Sequence, residues 1–536
     1  MLKLDAESEN NVQHQQHTVD LHTLPNNSDQ LTTVGGDSQN TLDVVQTLGR
    51  LAKSREDAGI LPRELGVSFR GLEVIGLGAA SSYQDTVGSI FNPSNMIKQI
   101  QAQRHPSTRH IISGFEGTVK PGEMLRQYLP PNQYFKSLTH TNLSPTVVLG
   151  RPGSGCSTLL KILTNKHDEF HSTSGDILYN TFLPGQISAH FRGDVHYCPE
   201  DDIHFPTLTV GQTVEFAARV RAPRAAARMG ESRAQYAKHT ADVLLKLFGL
   251  EHARNTQVGD ATIRGISGGE KKRLSICEAM AARSCLTSWD NATRGLDSST
   301  ALEFVQILRA ATDINRLTSI VSLYQAGERL YELFDKVCVV YEGRMAYFGP
   351  ANQARDYFIN LGYEPAHRQT TADFLVSVTD PNARIPRSDL ALPAPRTAAE
   401  FASAFTRSDI GQKNAQSVDI FRAELQADRK VSEVYVKSAR EEHDKLARAG
   451  SSYVASLPAQ AAAVMLRRIQ ILRGALVISI INMVYVFSVI YKLFAFAHTA
   501  GLPSGYIFQG IVLGTTFLKE PASTNSFFSR SGILFL

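Results

Sequence analysis

The chain has 536 residues, of which 43% are hydrophobic, so its size and composition predict more than one packed structural unit. Its 55 basic and 51 acidic side chains leave a formal net charge of +4, and this near balance gives no support to a nucleic-acid partner. Five scattered cysteines without a C-x-x-C pair indicate neither a disulfide framework nor a zinc site. The polar N-terminus lacks the apolar segment of a secretory signal peptide.

The first hundred residues divide into two regions. Residues 1–40 are rich in Gln, Asn, His, Asp and Ser and show no apolar period. Because such a composition buries too little surface to offset chain entropy, it predicts a disordered tail. Residues 41–105 are predicted to form an N-terminal extension, in which the alternating stretch LGVSFRGLEVIG favours β-strands.

The central part of the chain, residues 106–375, alternates strand-like and helix-like runs. VVLG, IVSLY and KVCVVYEG are typical of buried strands, whereas STLLKIL, VEFAARVRA and STALEFVQILRA have helical spacing. This alternation predicts an α/β domain. Residues 376–474 are predicted to form a charged helical connector with a solvated face, ending in the amphipathic helix LPAQAAAVMLRRIQILRG.

The last segment, residues 475–536, is predicted to begin an α-helical transmembrane domain. Residues 475–497 form an apolar run long enough to cross a bilayer, with Lys492 as its one charge, and a second apolar run covers 506–518. Three arginines directly precede the first run: Arg467, Arg468 and Arg473. By the positive-inside rule they would keep the preceding domain in the cytoplasm. A buried helix of a soluble domain is the alternative interpretation.

The stretch GRPGSGCS, residues 150–157, has the glycine spacing of a phosphate-binding loop between a strand and a helix. In such a loop, glycines let successive backbone amides point at the anion, and a hydroxyl, here that of Ser157, coordinates Mg²⁺. Cys156 stands where such a loop has lysine, so this stretch alone also fits an ordinary tight turn. The loop residues predicted to bind ATP are Gly150, Arg151, Pro152, Gly153, Ser154, Gly155, Cys156, Ser157 and Thr158.

A second set of motifs lies downstream. GISGGEKKR at 265–273, followed by LTSWDNATRGLDSST at 286–300, resembles the signature and second phosphate-site motifs of ATP-binding cassette (ABC) proteins. The resemblance implies a P-loop ABC nucleotide-binding domain in which Asp290 and Ser157 hold Mg²⁺. It also implies that the signature residues contact the γ-phosphate of ATP on a second cassette, so that two cassettes enclose two nucleotides. The implied nucleotide contacts in these motifs are Ser267, Gly268, Gly269, Glu270 and Asp297.

The resemblance narrows to one family of transporters. A cassette that precedes its membrane helices and carries GRPGSGCSTLLK, HFPTLTVGQTVEFAAR, WDNATRGLDSSTALEF and AVMLRRIQILRG is similar to the N-terminal half of a fungal pleiotropic drug resistance transporter. It covers nearly everything after the first 40 residues. It implies a plasma-membrane exporter of amphipathic drugs or lipids, with the lipid bilayer and a second cassette as partners and the cassette in the cytoplasm.

Four positions depart from a hydrolytic cassette, and each lacks a chemical group. Cys156 replaces the lysine that neutralises the β- and γ-phosphates. Asn291 stands where the family has a catalytic glutamate, and an amide has no useful basicity towards the attacking water. Tyr324 replaces the switch histidine, and Glu200 replaces the glutamine that senses Mg²⁺.

The motifs that bind nucleotide are kept while the groups that cleave it are changed. This pattern predicts a degenerate site that binds ATP and Mg²⁺, and it predicts that the chain alone is nearly inactive as an ATPase. Loss of both the lysine and the base is expected to slow hydrolysis by several orders of magnitude, at about 1.4 kcal/mol per tenfold. The resemblance implies that the intact signature completes the hydrolytic site of the C-terminal cassette.

Two stretches interrupt the family pattern. Residues 126–147 separate a strand from the loop that it positions, and a similar interruption covers 484–504 within the apolar run. A functional surface loop is one interpretation of the first, and retained short introns are the favoured hypothesis for both. The chain also ends where the family enters its second membrane helix, which predicts a fragment of a longer transporter.

Two other functions fit parts of the sequence. The runner-up is a soluble nucleotide-binding or regulatory cassette protein without transport activity. An ABC-type ATPase of translation or repair is a third class, but such proteins carry paired cassettes and no membrane segment. The transported molecule is not identified by the sequence.

Overall fold

The computed structural model describes residues 63–77, 108–121, 146–228, 230–324, 326–387, 393–448 and 450–476, with six further positions between 480 and 491. The predicted disordered tail lies outside the described residues. So do most of the predicted extension, most of the interruption at 126–147, the interruption at 484–504 apart from four positions, and most of the predicted transmembrane segment. The hypotheses on these regions therefore stay predictions.

Strands and helices alternate along the chain, as predicted for an α/β domain. The strands are β1 (Val67–Leu77), β2 (Thr108–Val119), β3 (Thr146–Gly150), β4 (Ser172–Tyr179), β5 (Val195–Cys198), β6 (Leu286–Trp289), β7 (Thr318–Ser322), β8 (Lys336–Tyr341), β9 (Arg344–Pro350), β10 (Tyr363–Glu364) and β11 (Ile385–Pro386). The predicted strands VVLG, IVSLY and KVCVVYEG correspond to β3, β7 and β8. The last two residues of the interruption at 126–147, Thr146 and Val147, belong to β3.

The helices predicted from 3.6-residue spacing are also present. The α-helices are α1 (Cys156–Leu163), α2 (Pro184–His190), α3 (Val210–Arg221), α4 (Arg233–Leu247), α5 (Gly268–Ala281), α6 (Ser298–Asn315), α7 (Glu328–Tyr331), α8 (Ala351–Asn360), α9 (Thr371–Val378), α10 (Ala398–Arg407), α11 (Asp409–Ala427), α12 (Arg429–Glu442) and α13 (Leu457–Gly474). Three short 3₁₀ helices cover Arg192–Asp194, Ala225–Arg228 and Glu251–Ala253.

The central sheet has six strands in the order β5-β6-β7-β3-β8-β9. The first five in this order are parallel, and β9 pairs with β8 in the antiparallel sense. The carboxyl ends of the parallel strands therefore meet at one edge, which is where sheets of this type bind ligands. Gly150 ends β3, Asp290 follows β6, and Glu200 lies two residues beyond β5.

A second sheet joins the N-terminal extension to this core. It has three antiparallel strands in the order β2-β1-β4. Phe69 of β1 meets Phe348 of β9 edge to face, with 6.0 Å between the ring centroids. Both rings are buried, and edge-to-face pairs of this kind add stability beyond the burial of their surface. The predicted strand in LGVSFRGLEVIG is thus a packed part of the cassette.

The last described helix, α13, packs against α3. The guanidinium of Arg467 lies 3.8 Å from the ring centroid of Phe216 on α3 and 5.2 Å from that of Phe205. Cation–π contacts of this kind attach a helix while its charge stays near water. Within the part of the chain that the structure describes, no helix combines the length and apolarity needed to cross a bilayer.

A buried ion cluster joins three parts of the chain. Its members are Arg63, Asp194, Arg221, Arg283, Tyr435 and Glu442. Arg63 contacts Asp194 at 3.2 Å and Glu442 at 2.7 Å, and all three side chains are buried. Arg283, just after α5, pairs with the other oxygen of Glu442 at 2.9 Å. The sequence predicts a solvated connector, but α12 buries Glu442 because two arginines neutralise it.

Candidate nucleotide-binding site

The phosphate-binding loop connects β3 to α1. Gly153 and Gly155 have φ of +78° and +106°, a region that side chains disfavour, so glycine is required at both positions. At Gly150 a Cβ would lie 2.4 Å from Ser154 Oγ, so the loop also closes too tightly for a larger residue there. The carbonyl of Ser154 accepts a 2.9 Å hydrogen bond from the amide of Gly343, which supports the loop from the β8–β9 turn. The loop is therefore held in a wrapped conformation.

The cysteine of this loop is a neutral side chain. Cys156 Sγ lies 3.4 Å from Ser154 Oγ. Burial raises the pKa of the Cys156 thiol to about 11, so the thiol is protonated at pH 7. It carries neither the positive charge of a lysine nor the negative charge of a thiolate. Ser157, the next residue, is exposed at the start of α1.

Two hydroxyl groups hold the carboxylate that is predicted to bind Mg²⁺. Asp290 is buried, and its Oδ2 accepts a 2.7 Å hydrogen bond from the hydroxyl of Tyr197. Its Oδ1 accepts a 2.7 Å hydrogen bond from Ser322 Oγ, which in turn accepts from the Asn291 backbone amide at 2.8 Å. Burial and the bond to Asp290 raise the pKa of Tyr197 well above its usual range, so it stays a donor.

Ser157 and Asp290 line one cleft of about 350 Å³, together with Tyr197 and Glu200. Mg²⁺ prefers hydroxyl and carboxylate oxygens and uses one or two protein ligands besides phosphate and water. The hydroxyl of Ser157 and the carboxylate of Asp290 fit that preference. Among the described residues, no group of three or more His, Cys, Asp or Glu side chains forms a metal site.

Two of the four substituted positions bond to each other. The amide nitrogen Nδ2 of Asn291 donates to Glu200 Oε1 at 2.9 Å, and Arg294 Nη1 donates to the same oxygen at 2.6 Å. Asn291 has a φ of +45°, a conformation that asparagine tolerates better than most residues. The side chain of Asn291, which is predicted to stand in the place of the catalytic base, is therefore bonded to Glu200. Tyr324 follows β7, is 51% exposed and does not line this cleft.

Glu200 also connects this cleft to the helix of the signature motif. Its carbonyl accepts a 2.5 Å hydrogen bond from Lys272 Nζ on α5. Lys272 pairs with Asp202 at 3.0 Å, and Ser275 Oγ donates to the same carboxylate oxygen at 2.6 Å. The segment after β5 is thus fixed to α5 through a buried lysine.

The signature residues lie at the start of α5, away from the cleft. Ser267 caps the helix by accepting from the Glu270 amide at 3.3 Å, and the Glu270 carboxylate accepts from the Ser267 amide at 2.8 Å. Ser267 donates to the Glu270 carboxylate from its amide and, at 2.8 Å, from its hydroxyl, and these two bonds, the amide first, lower the pKa of Glu270. Ser267 and Gly268 are exposed, so the helix N-terminus, which favours anions, is accessible. Asp297 caps α6 by accepting from the Thr300 amide at 3.1 Å.

Sequence reasoning identified the loop and Asp290 but missed Tyr197, Ser322 and Arg294. Tyr197 and Ser322 lie at the carboxyl ends of β5 and β7, on either side of β6. In the sequence, both residues are visible as hydroxyl groups at the ends of otherwise apolar strands. This pattern does not identify them as partners of Asp290, because the strand order that brings them together cannot be derived from the local pattern.

The strand order, the wrapped loop and the carboxylate that follows β6 define the class of this protein as a P-loop ABC nucleotide-binding domain. Comparison with known families agrees, because residues 137–294 match the family described as ABC transporter and residues 4–90 match the family described as ABC-transporter N-terminal. The chain therefore carries an ABC transporter domain and an ABC-transporter N-terminal domain.

The similar proteins include fungal multidrug transporters. The chain is 38% identical over 485 residues to the ABC multidrug transporter MDR3 of Trichophyton rubrum. This alignment covers 90% of this chain and 29% of that protein. The chain is 37% identical over 521 residues to the ABC multidrug transporter atrH of Aspergillus oryzae, covering 97% of this chain and 32% of that protein. The chain thus spans about a third of the length of these relatives.

Among solved structures, the dimeric ATP-binding cassette MJ0796 bound to ADP and Pi is similar at 16% identity and a TM-score of 0.36. That match covers 53% of this chain and 98% of the other.

Proposed function

We propose that this cassette binds MgATP without hydrolysing it, as part of a membrane exporter of drugs or lipids. The observation that carries the proposal is the 2.9 Å hydrogen bond between Asn291 and Glu200 beside the cleft. The side chain predicted to stand in the place of the catalytic base is the amide of Asn291, and this amide is already bonded to Glu200. The neutral Cys156 removes the second group needed for cleavage.

Binding is assigned to groups that the chain retains. Backbone amides of the wrapped loop would contact the phosphates, as expected at a glycine-rich helix start. Ser157 and Asp290 would hold Mg²⁺, which neutralises phosphate charge. Tyr197 and Ser322 keep the Asp290 carboxylate in one orientation through their two 2.7 Å hydrogen bonds.

The signature motif is assigned to a second cassette. Ser267 and Gly268 are exposed and do not line the chain's own cleft, which supports a role towards another molecule. An accessible helix N-terminus suits the γ-phosphate of a nucleotide held elsewhere. We assign this cassette to the cytoplasmic side of the plasma membrane, as its resemblance to pleiotropic drug resistance transporters implies.

Equilibrium dialysis with labelled ATP tests the binding half of this proposal. We expect saturable binding in Mg²⁺. Asp290→Asn should weaken that binding at least about tenfold, because a charged ligand is worth about 1.5–3 kcal/mol, and should have little effect in EDTA. Asp356→Asn, an exposed carboxylate on α8, is the control for loss of a charge. Absence of saturable binding, or equal affinity of the Asp290→Asn protein in Mg²⁺, would contradict the proposal.

A further inference from the structure

A triphosphate in this loop lacks the cation that usually faces it. The motif GRPGSGCS contains one positively charged side chain, that of Arg151. Mg²⁺ balances about two of the roughly four negative charges that ATP carries near pH 7. Backbone amides supply only partial charges. If the loop binds nucleotide without the usual lysine, Arg151 is therefore the loop side chain that can neutralise phosphate charge.

Arg151 is held at the loop by a carboxylate from another element. Its Nη1 lies 3.2 Å from Asp380 Oδ1. Asp380 comes two residues after α9, a helix that packs against β3. The same carboxylate oxygen accepts a 3.0 Å hydrogen bond from the Asn382 amide, which fixes the carboxylate in its own turn. Asp380 is therefore anchored in its own turn, and the more exposed side chain of the pair is that of Arg151.

The energies favour exchange of the carboxylate for phosphate. The Arg151 side chain is 44% exposed and that of Asp380 is 25% exposed, so their ion pair is partly screened by water. Ion pairs of this kind are worth little. A guanidinium facing phosphate oxygens forms two parallel charge-assisted hydrogen bonds, which are stronger.

Other nearby cations are less suited to this role. Lys161 lies one helical turn beyond Ser157 and is paired with Glu169 at 2.5 Å. Lys161 and Lys166 both stand over the ring of Tyr197, at 5.7 Å and 5.4 Å from its centroid. Both lysines line the cleft with Ser157 and Asp290, but neither belongs to the loop that wraps the phosphates.

We propose that Arg151 is the replacement cation for the missing lysine, and that Asp380 is a competing counter-ion that pairs with Arg151 until nucleotide displaces it. This inference rests on the proposed function, because it requires that the cassette bind ATP. It assigns opposite effects to the two partners of one ion pair. Loss of the arginine weakens ATP binding, whereas loss of the carboxylate strengthens it.

A double-mutant cycle on the full chain tests this inference. ATP and AMP affinities are measured in Mg²⁺ for wild type, Arg151→Gln, Asp380→Asn and the double variant. We expect Arg151→Gln to weaken ATP binding at least about tenfold, which is the effect of one charged hydrogen bond. The same change should weaken AMP binding less than about twofold, because AMP lacks the terminal phosphates. Asp380→Asn should tighten ATP binding about two- to fivefold, since the surface ion pair with Asp380 no longer competes with phosphate for Arg151.

The double variant separates a specific contact from a general effect of charge. If Asp380 acts through Arg151, Asp380→Asn has no effect in the Arg151→Gln background. The inference is overturned if Asp380→Asn still tightens ATP binding in the Arg151→Gln background. It is also overturned if the Arg151→Gln protein has wild-type ATP affinity. The side chain introduced by Asp380→Asn keeps an oxygen that can accept from the Asn382 amide. Lys413→Gln on α11 is the control for Arg151→Gln, because it also removes one exposed positive charge. A wild-type chain that binds no ATP overturns the proposed function itself, which is a different result.

Discussion

Asn291→Glu is expected to lower the free energy of unfolding by about 2 kcal/mol more in the wild-type background than in a Glu200→Gln background. The new carboxylate would lie within hydrogen-bonding distance of Glu200, which the Asn291 amide now contacts at 2.9 Å. Two like charges about 4 Å apart repel by about 4 kcal/mol at an effective dielectric constant of about 20, and Arg294 offsets part of this. Urea unfolding of the four proteins measures the difference.

The coupling depends on the presence of both carboxylates. In the Glu200→Gln background the introduced amide donates to the introduced carboxylate, and the effect should nearly vanish. Equal destabilisation in both backgrounds at pH 7 would show that the two positions are not paired.

Glu442→Gln is expected to cost about 3–5 kcal/mol of stability, because it removes a buried counter-charge that two arginines share. Glu442 is 2% exposed and contacts Arg63 at 2.7 Å and Arg283 at 2.9 Å. A neutral amide accepts weakly and places its own donors against guanidinium groups. Thermal and urea unfolding of the full chain measure the loss.

A matched change on the same helix serves as its control. Glu433 is exposed on α12, so Glu433→Gln should change stability by less than about 0.5 kcal/mol. A Glu442→Gln protein as stable as the Glu433→Gln protein would contradict the role assigned to the buried ion cluster.

Local pattern was sufficient for the elements and for the loop. Gly153 and Gly155 have the positive φ that a phosphate-binding loop requires, and the apolar runs around it form buried strands. The chemistry of single substitutions was also readable, since a cysteine such as Cys156 cannot carry the positive charge of a lysine in any surroundings.

Pairings between distant residues were not predictable in this way. Glu200 and Asn291 are neighbours because β5 and β6 are adjacent parallel strands, and that order is a property of the whole sheet. Asp380 reaches Arg151 only because α9 packs beside β3. Composition predicts a charged helical connector with a solvated face, and it does not show that Glu442 contacts both Arg63 and Arg283.

The fate of bound nucleotide tests the central claim most directly. The full chain is loaded with γ-labelled ATP and Mg²⁺, freed of excess nucleotide, and the bound species is identified over several hours. We expect the label to remain as intact ATP, because the phosphate-binding loop carries Cys156 in place of lysine and Asn291 stands where the catalytic base is expected. Conversion of bound ATP to ADP and phosphate within minutes would contradict the account.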